Sequence, residues 1–105
     1  MTKVFREASN IGISLIMPYY KGENHLNPWL ETFTKTLQHT KGTVAYELIM
    51  VIDSPEFTNV GWVEDTIASV LSPYMSNWKI LVNPQNVGVA RSRNRGLQTA
   101  QYSHV

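Results

Sequence analysis

The residues best suited to chemistry lie in two short stretches. Asp53 follows the apolar run YELIMVI (residues 46–52), and NVGVARSRNRG (residues 86–96) crowds three arginines and two asparagines into the expected start of a helix. A carboxylate at the end of an apolar strand is costly unless it binds something. It either meets a ligand or caps the turn into Pro55-Glu56, as Asp often does. Cations at a helix start are also unexpected, because the macrodipole is positive there. The second stretch can offer a guanidinium and the free N–H groups of a helix start to a ligand.

Wound as a helix with Leu97 at the centre of the buried face, residues 86–96 carry Arg93 about 40° and Asn94 about 60° from that centre. Arg91 and Arg95 then fall on the solvent side. An inward Arg93 needs an anionic or carbonyl partner. It either pairs with a loop carboxylate such as Asp53, or lines a ligand cleft with Asn94. Tyr19 and Tyr20 either stack on a base or cover the sheet end, and Glu23 reads as a solvated loop residue. His25, His39 and His104 are scattered and lack metal-ligand spacing. No G-x-G-x-x-G follows the first apolar run, and the chain has no Walker A motif, G-x-S-x-G elbow or Cys-His pair. Basic residues interleaved with aromatics are too few for a nucleic-acid surface.

The elements that must position these residues are legible in the apolar pattern. Ile13–Met17, Tyr46–Ile52 and Trp78–Val82 read as buried strands. Pro18 stops the first, and YYKGENHLN reads as a loop. Asn27-Pro28 reads as an N-cap followed by proline at the first helical position, opening a helix over residues 28–38 with Trp29, Leu30, Phe33 and Leu37 on one face. A second helix is expected from Trp62 to Leu71, closed by Ser72-Pro73. A third, capped by Asn86, is expected to run to about Gln101, with Tyr102–Val105 opening another strand. Alternating strands and helices with apolar strands imply right-handed crossovers and a mostly parallel, Rossmann-like α/β sheet with flanking helices. Ligands of such sheets sit outside the carboxyl ends of the strands, here Pro18–Glu23, Asp53–Glu56 and Asn83–Asn86.

At 105 residues the chain is one domain at most, and 43% hydrophobic with 16% charged residues is ordinary for a folded one. A net charge of +1 gives no global attraction to nucleic acid or membrane, so any electropositive site is local. Without cysteine there is no disulfide and no thiolate metal site. The apolar runs are too short to span a bilayer, and a cytoplasmic domain is expected.

ISLIMPYYKGENHL, YELIMVIDS and NVGVARSRNRGLQTA together resemble family 2 glycosyltransferases of the GT-A fold, in order and spacing, across residues 12–105. The first is similar to the family's strand and Pro-x-Tyr-Asn loop, and the second to its strand ending in paired aspartates and a Gly-Ser turn. The third is similar to its Asn-x-Gly, Ala-Arg-Asn-x-Gly, Ala segment. The resemblance implies that residues 1–105 are the N-terminal, donor-nucleotide-binding half of a GT-A domain, β-α-β-α-β-α, truncated before the fourth strand is complete. Pro18 and Tyr20 would then pack against the nucleotide base and Asp53 would contact it. Arg93 would stand near the nucleotide, and Asn86, Gly88, Asn94 and Gly96 would shape the cleft.

By the same resemblance, the parent enzyme transfers a sugar from a nucleotide-diphosphate sugar, a UDP-sugar by expectation, to an acceptor hydroxyl. Its Mg²⁺ or Mn²⁺ would sit on an Asp-x-Asp just beyond Val105, so no metal ligand and no catalytic residue is expected in these residues. Ile52 stands where the family has its first aspartate, Ser54-Pro55 replaces Gly-Ser, Lys21 replaces Asn and Ser92 replaces Ala. Ile52 is the best argument for the alternative, a non-catalytic nucleotide-binding or interaction domain on the same fold. Exposure of the Ile13–Met17 edge, beside which the family's fourth strand pairs, implies self-association.

Overall fold

The computed structural model describes residues 11–102. Three strands and three helices alternate along them: β1 (Ile11–Tyr19), α1 (Glu23–His39), β2 (Val44–Ile52), α2 (Val60–Leu71), β3 (Trp78–Val82) and α3 (Val89–Thr99). The strands form one parallel sheet in the order β1-β2-β3. This is an α/β open sheet, Rossmann-like at a coarse level. No helix among the described residues is long and apolar enough to cross a membrane.

The central strand decides the layering. Glu47–Ile52 of β2 are buried without a break, as a parallel strand covered on both faces requires. Leu48, Met50 and Ile52 point to one face, where they pack with Leu26, Leu30 and Phe33 of α1 and Val63, Ile67 and Leu71 of α2. The other face of β1 and β2 is covered by α3.

Several boundaries depart from the sequence expectation. Pro18 does not stop β1, which continues to Tyr19. Its backbone nitrogen lies on the side of β1 away from β2, so its missing N–H removes no ladder bond between the two strands. Helix α1 begins at Glu23 and not at Pro28. Asn27 therefore caps nothing, and the N-cap is Gly22, with no side-chain hydrogen bond. Leu26 extends the stripe of Leu30, Phe33 and Leu37 by one turn, and that burial outweighs an interior proline whose lost acceptor belongs to exposed Asn24. Helix α2 begins at Val60 with Asn59 as its cap, the side-chain oxygen accepting from the Trp62 N–H at 3.0 Å.

Helix α3 also starts later than expected. Gly88, at φ 95°, is its N-cap, and Asn86 lies outside it. A left-handed backbone there favours glycine. The chain ends α3 at Thr99, and Gln101 and Tyr102 are not in a strand. The expected strand over residues 103–105 lies outside the described residues.

Candidate functional site

The carboxyl ends of all three strands converge on one cleft. Tyr20 from the loop after β1, Asp53–Phe57 after β2 and Asn86 after β3 line a hollow of about 110 Å³. A neighbouring apolar hollow of about 270 Å³ runs from Met17 and Pro18 across Tyr20 to His25 and Trp29 on α1. Tyr20 is 49% exposed and borders both. Tyr19, by contrast, is in the core, with Gly22 seated against its ring.

Asp53 is the floor of the first hollow, and its oxygens are engaged from within. Oδ1 accepts from Asn83 Nδ2 and from the Val87 N–H, both at 2.8 Å, and Oδ2 accepts from the Gly88 N–H at 2.9 Å. Burial pushes the Asp53 carboxyl up, but the hydrogen bonds from Val87, Asn83, Gly88 and Ser92 together outweigh it and hold the group below its ordinary value. Asp53 therefore neither caps the Pro55-Glu56 turn nor pairs with Arg93. It fastens the end of β2 to the loop that opens α3, with one oxygen retaining acceptor capacity toward a ligand.

Asn83 extends this fastening. Its Nδ2 also donates to Ser92 Oγ at 2.9 Å, and its Oδ1 accepts from Arg95 Nη1 at 2.6 Å. The expected orientation of α3 is thereby corrected. Arg93 and Asn94 are exposed, while Arg95 is the half-buried arginine that reaches the site. Taking Leu97 as the centre of the buried face misplaced the helix, because Leu97 is 42% exposed and the buried positions are Ser92 and Gly96. Gly96 lies so close to Ile16 that a Cβ would stand 2.5 Å from its Cγ2. Small residues bring this helix onto the sheet, and the signal was the Ser92/Gly96 pair at i, i+4.

A second tie joins the first two loops. Ser54 Oγ accepts the Lys21 N–H at 3.0 Å and lies 2.8 Å from Thr58 Oγ1. Lys21 has φ 51°, a left-handed conformation that Asn tolerates better than Lys. Its ammonium stands 4.1 Å from the Phe57 ring centroid and 5.3 Å from that of Tyr20, forming a cationic and aromatic rim beside the cleft.

Of the expected site residues, the structure brings Tyr20, Asp53 and Asn86 together. Gly88 supports them through Asp53, Pro18 lines the adjacent hollow, and Arg93, Asn94 and Gly96 lie outside the lining. Asn83, Ser54, Phe57 and Arg95 were missed, since their roles depend on which loops meet. Among the described residues no group of three His, Cys, Asp or Glu side chains is placed to hold a metal ion. In comparisons with protein-family models, curated proteins and solved structures, nothing matched the chain.

Proposed function

We propose that the cleft binds the nucleotide of a nucleotide-diphosphate sugar, and that the chain is the donor-binding half of a GT-A glycosyltransferase of family 2. The observation that carries this reading is the meeting of Tyr20, Asp53 and Asn86, each from a different one of the three family-like motifs, in a single hollow at the strand ends. Exposed Tyr20 offers a face for a base, and Phe57, 58% exposed, offers a second. The N–H groups of Val89, Ala90 and Arg91, in the first turn of α3, have no acceptor within the helix and favour a diphosphate nearby. Asp53 acts chiefly as the clasp that holds this turn in place.

The described residues do not fit the expected Mg²⁺ or Mn²⁺, and no step is assigned to a metal here. In the proposed parent enzyme the ion belongs to the Asp-x-Asp expected beyond Val105. The proposed transfer also needs a base for the acceptor hydroxyl, and none of the cleft residues is assigned that role.

One observation favours the non-catalytic alternative. Ile52 is fully buried in the core, so the position where the family carries an acidic residue contributes no carboxylate to the cleft. Calorimetric titration with UDP and then other nucleoside diphosphates tests the donor reading. Saturable binding that is weakened by Tyr20→Ala supports it. Absence of binding by every nucleotide, both in this chain and in one extended through an Asp-x-Asp, contradicts it.

A further inference from the structure

Lys21 follows Tyr20 in the loop after β1, and its backbone is fixed. It holds φ 51°, left-handed for a residue with a Cβ. Its N–H donates at 3.0 Å to Ser54 Oγ, which belongs to a buried residue and is itself bonded to Thr58 Oγ1. The root of the side chain is thereby tied to the loop after β2. From that root a flexible four-carbon stem carries the ammonium to 4.1 Å from the Phe57 ring centroid and 5.3 Å from that of Tyr20.

Both rings line the hollow above Asp53. The ammonium is not the counter-ion of that hollow's floor. Asp53 takes its hydrogen bonds from Asn83, Val87 and Gly88, and among the described residues no carboxylate pairs with Lys21. An ammonium has three donors and no acceptor. Ring faces flank it without accepting those donors in the plane where a carbonyl would, so an oxygen brought to it gains a charge-assisted hydrogen bond.

We propose, resting on the nucleotide reading of the cleft, that Lys21 selects the base. It favours a base whose edge presents a carbonyl oxygen, as uracil and guanine do, over one that presents an amino group there, as cytosine and adenine do. A base stacked on Tyr20 or Phe57 brings its edge within reach of an ammonium already held against those rings. A carbonyl accepts from it, whereas an amino group meets it donor to donor. The diphosphate, in the same reading, belongs to the first turn of α3, after β3, so the charge from the β1 loop falls at the base end. Asparagine, the usual residue of the resembled family at this position, carries both a donor and an acceptor in its amide and draws no such distinction.

Calorimetric titration of the chain and of Lys21→Asn with UDP, CDP, GDP and ADP tests the selection. The pairs UDP–CDP and GDP–ADP hold ring size fixed while a carbonyl gives way to an amino group, and together they separate a pyrimidine from a purine source of that carbonyl. In whichever pair binds, the carbonyl member is expected to bind at least about tenfold more tightly. Asparagine suits the left-handed backbone, so Lys21→Asn is expected to keep the far-UV circular dichroism of the unaltered chain. In it the ratio is expected to fall below about threefold, through weaker binding of the carbonyl member alone. Equal affinities within each pair, or a preference unchanged in Lys21→Asn, overturn the proposal and leave the nucleotide reading standing. So does a uniform loss in Lys21→Asn, which assigns the ammonium to the diphosphate common to all four. Absence of binding by all four, in this chain and in one extended through an Asp-x-Asp, removes the nucleotide reading and the selection with it. The NMR signals of the Lys21 ε-protons give a readout that needs no variant. Ring currents displace them in the free chain, and saturation with the carbonyl member is expected to shift them; signals that stay in place overturn the base contact.

Discussion

Asn83 Nδ2 donates to Asp53 Oδ1 at 2.8 Å, tying the end of β3 to the end of β2 beneath the cleft. Both side chains are almost fully buried. Through Asn83 the tie continues to Ser92 and Arg95 of α3, and through Asp53 to the Val87 and Gly88 N–H groups. The cleft is thus supported by a polar network whose members come from three separate segments.

Removing the hub leaves one buried and two part-buried donors without acceptors. Asp53→Ala orphans the Val87 and Gly88 N–H groups and one Asn83 proton, each costing about 1–3 kcal/mol when left buried. A loss on the order of 3 kcal/mol is expected after partial relaxation, measured by urea unfolding. A loss below about 1 kcal/mol would mean that water reaches these groups. The same cost makes Asp53→Ala a poor probe of ligand binding, and Tyr20→Ala a better one.

Acid should weaken the fold through two buried carboxylates. Glu47 accepts from Ser14 Oγ at 2.7 Å, from the Gln101 N–H at 2.9 Å and from Lys79 Nζ at 2.6 Å. Burial pushes its carboxyl up, but the Gln101, Lys79 and Ser14 hydrogen bonds and the Lys79 charge outweigh it, holding the group, like Asp53, below its ordinary value. Both contributions are complete above the unfolded-state values near pH 4 and are lost as pH falls through the lower folded-state values. The urea midpoint is expected to vary little in this respect between about pH 7 and 5 and to fall below about pH 4. Glu47→Gln, which does not titrate, should flatten part of that acid limb.

Helix propensity and packing oppose each other at Gly96. Alanine in a helix interior gains about 1 kcal/mol over glycine, while overpacking costs about 1–3 kcal/mol. With Ile16 Cγ2 only 2.5 Å from the new Cβ, packing is expected to win and Gly96→Ala to destabilise. Adding Ile16→Ala should relieve the clash and recover part of the loss relative to Ile16→Ala alone. Stabilisation by the single change would show that α3 can lift from β1 without cost.

The strands and the order of elements were legible because long apolar runs admit few alternatives. Val63, Ile67 and Leu71 are buried on α2, at the spacing that announces an amphipathic helix. Helix α3 was misread because leucine is ordinarily the buried residue, whereas here a serine and a glycine make the close contact and Leu97 faces outward. Proline misled twice: at Pro18 the missing N–H would have pointed away from β2, and at Pro28 the burial of Leu26 outweighs the bond lost to the exposed Asn24 carbonyl. Tyr20, Asp53 and Asn86 were visible as loop residues at strand ends. Asn83 was not, since a turn asparagine becomes a hub only when Asp53, Ser92 and Arg95 close around it.

NMR chemical-shift mapping of a UDP titration tests the central claim most directly. The predicted result is saturable shifts of the Tyr20, Lys21, Phe57, Asn86 and Gly88 amides, lost in Tyr20→Ala with the fold retained. Saturable shifts confined to another surface, with these amides unmoved, would contradict the assignment of the cleft as a nucleotide site.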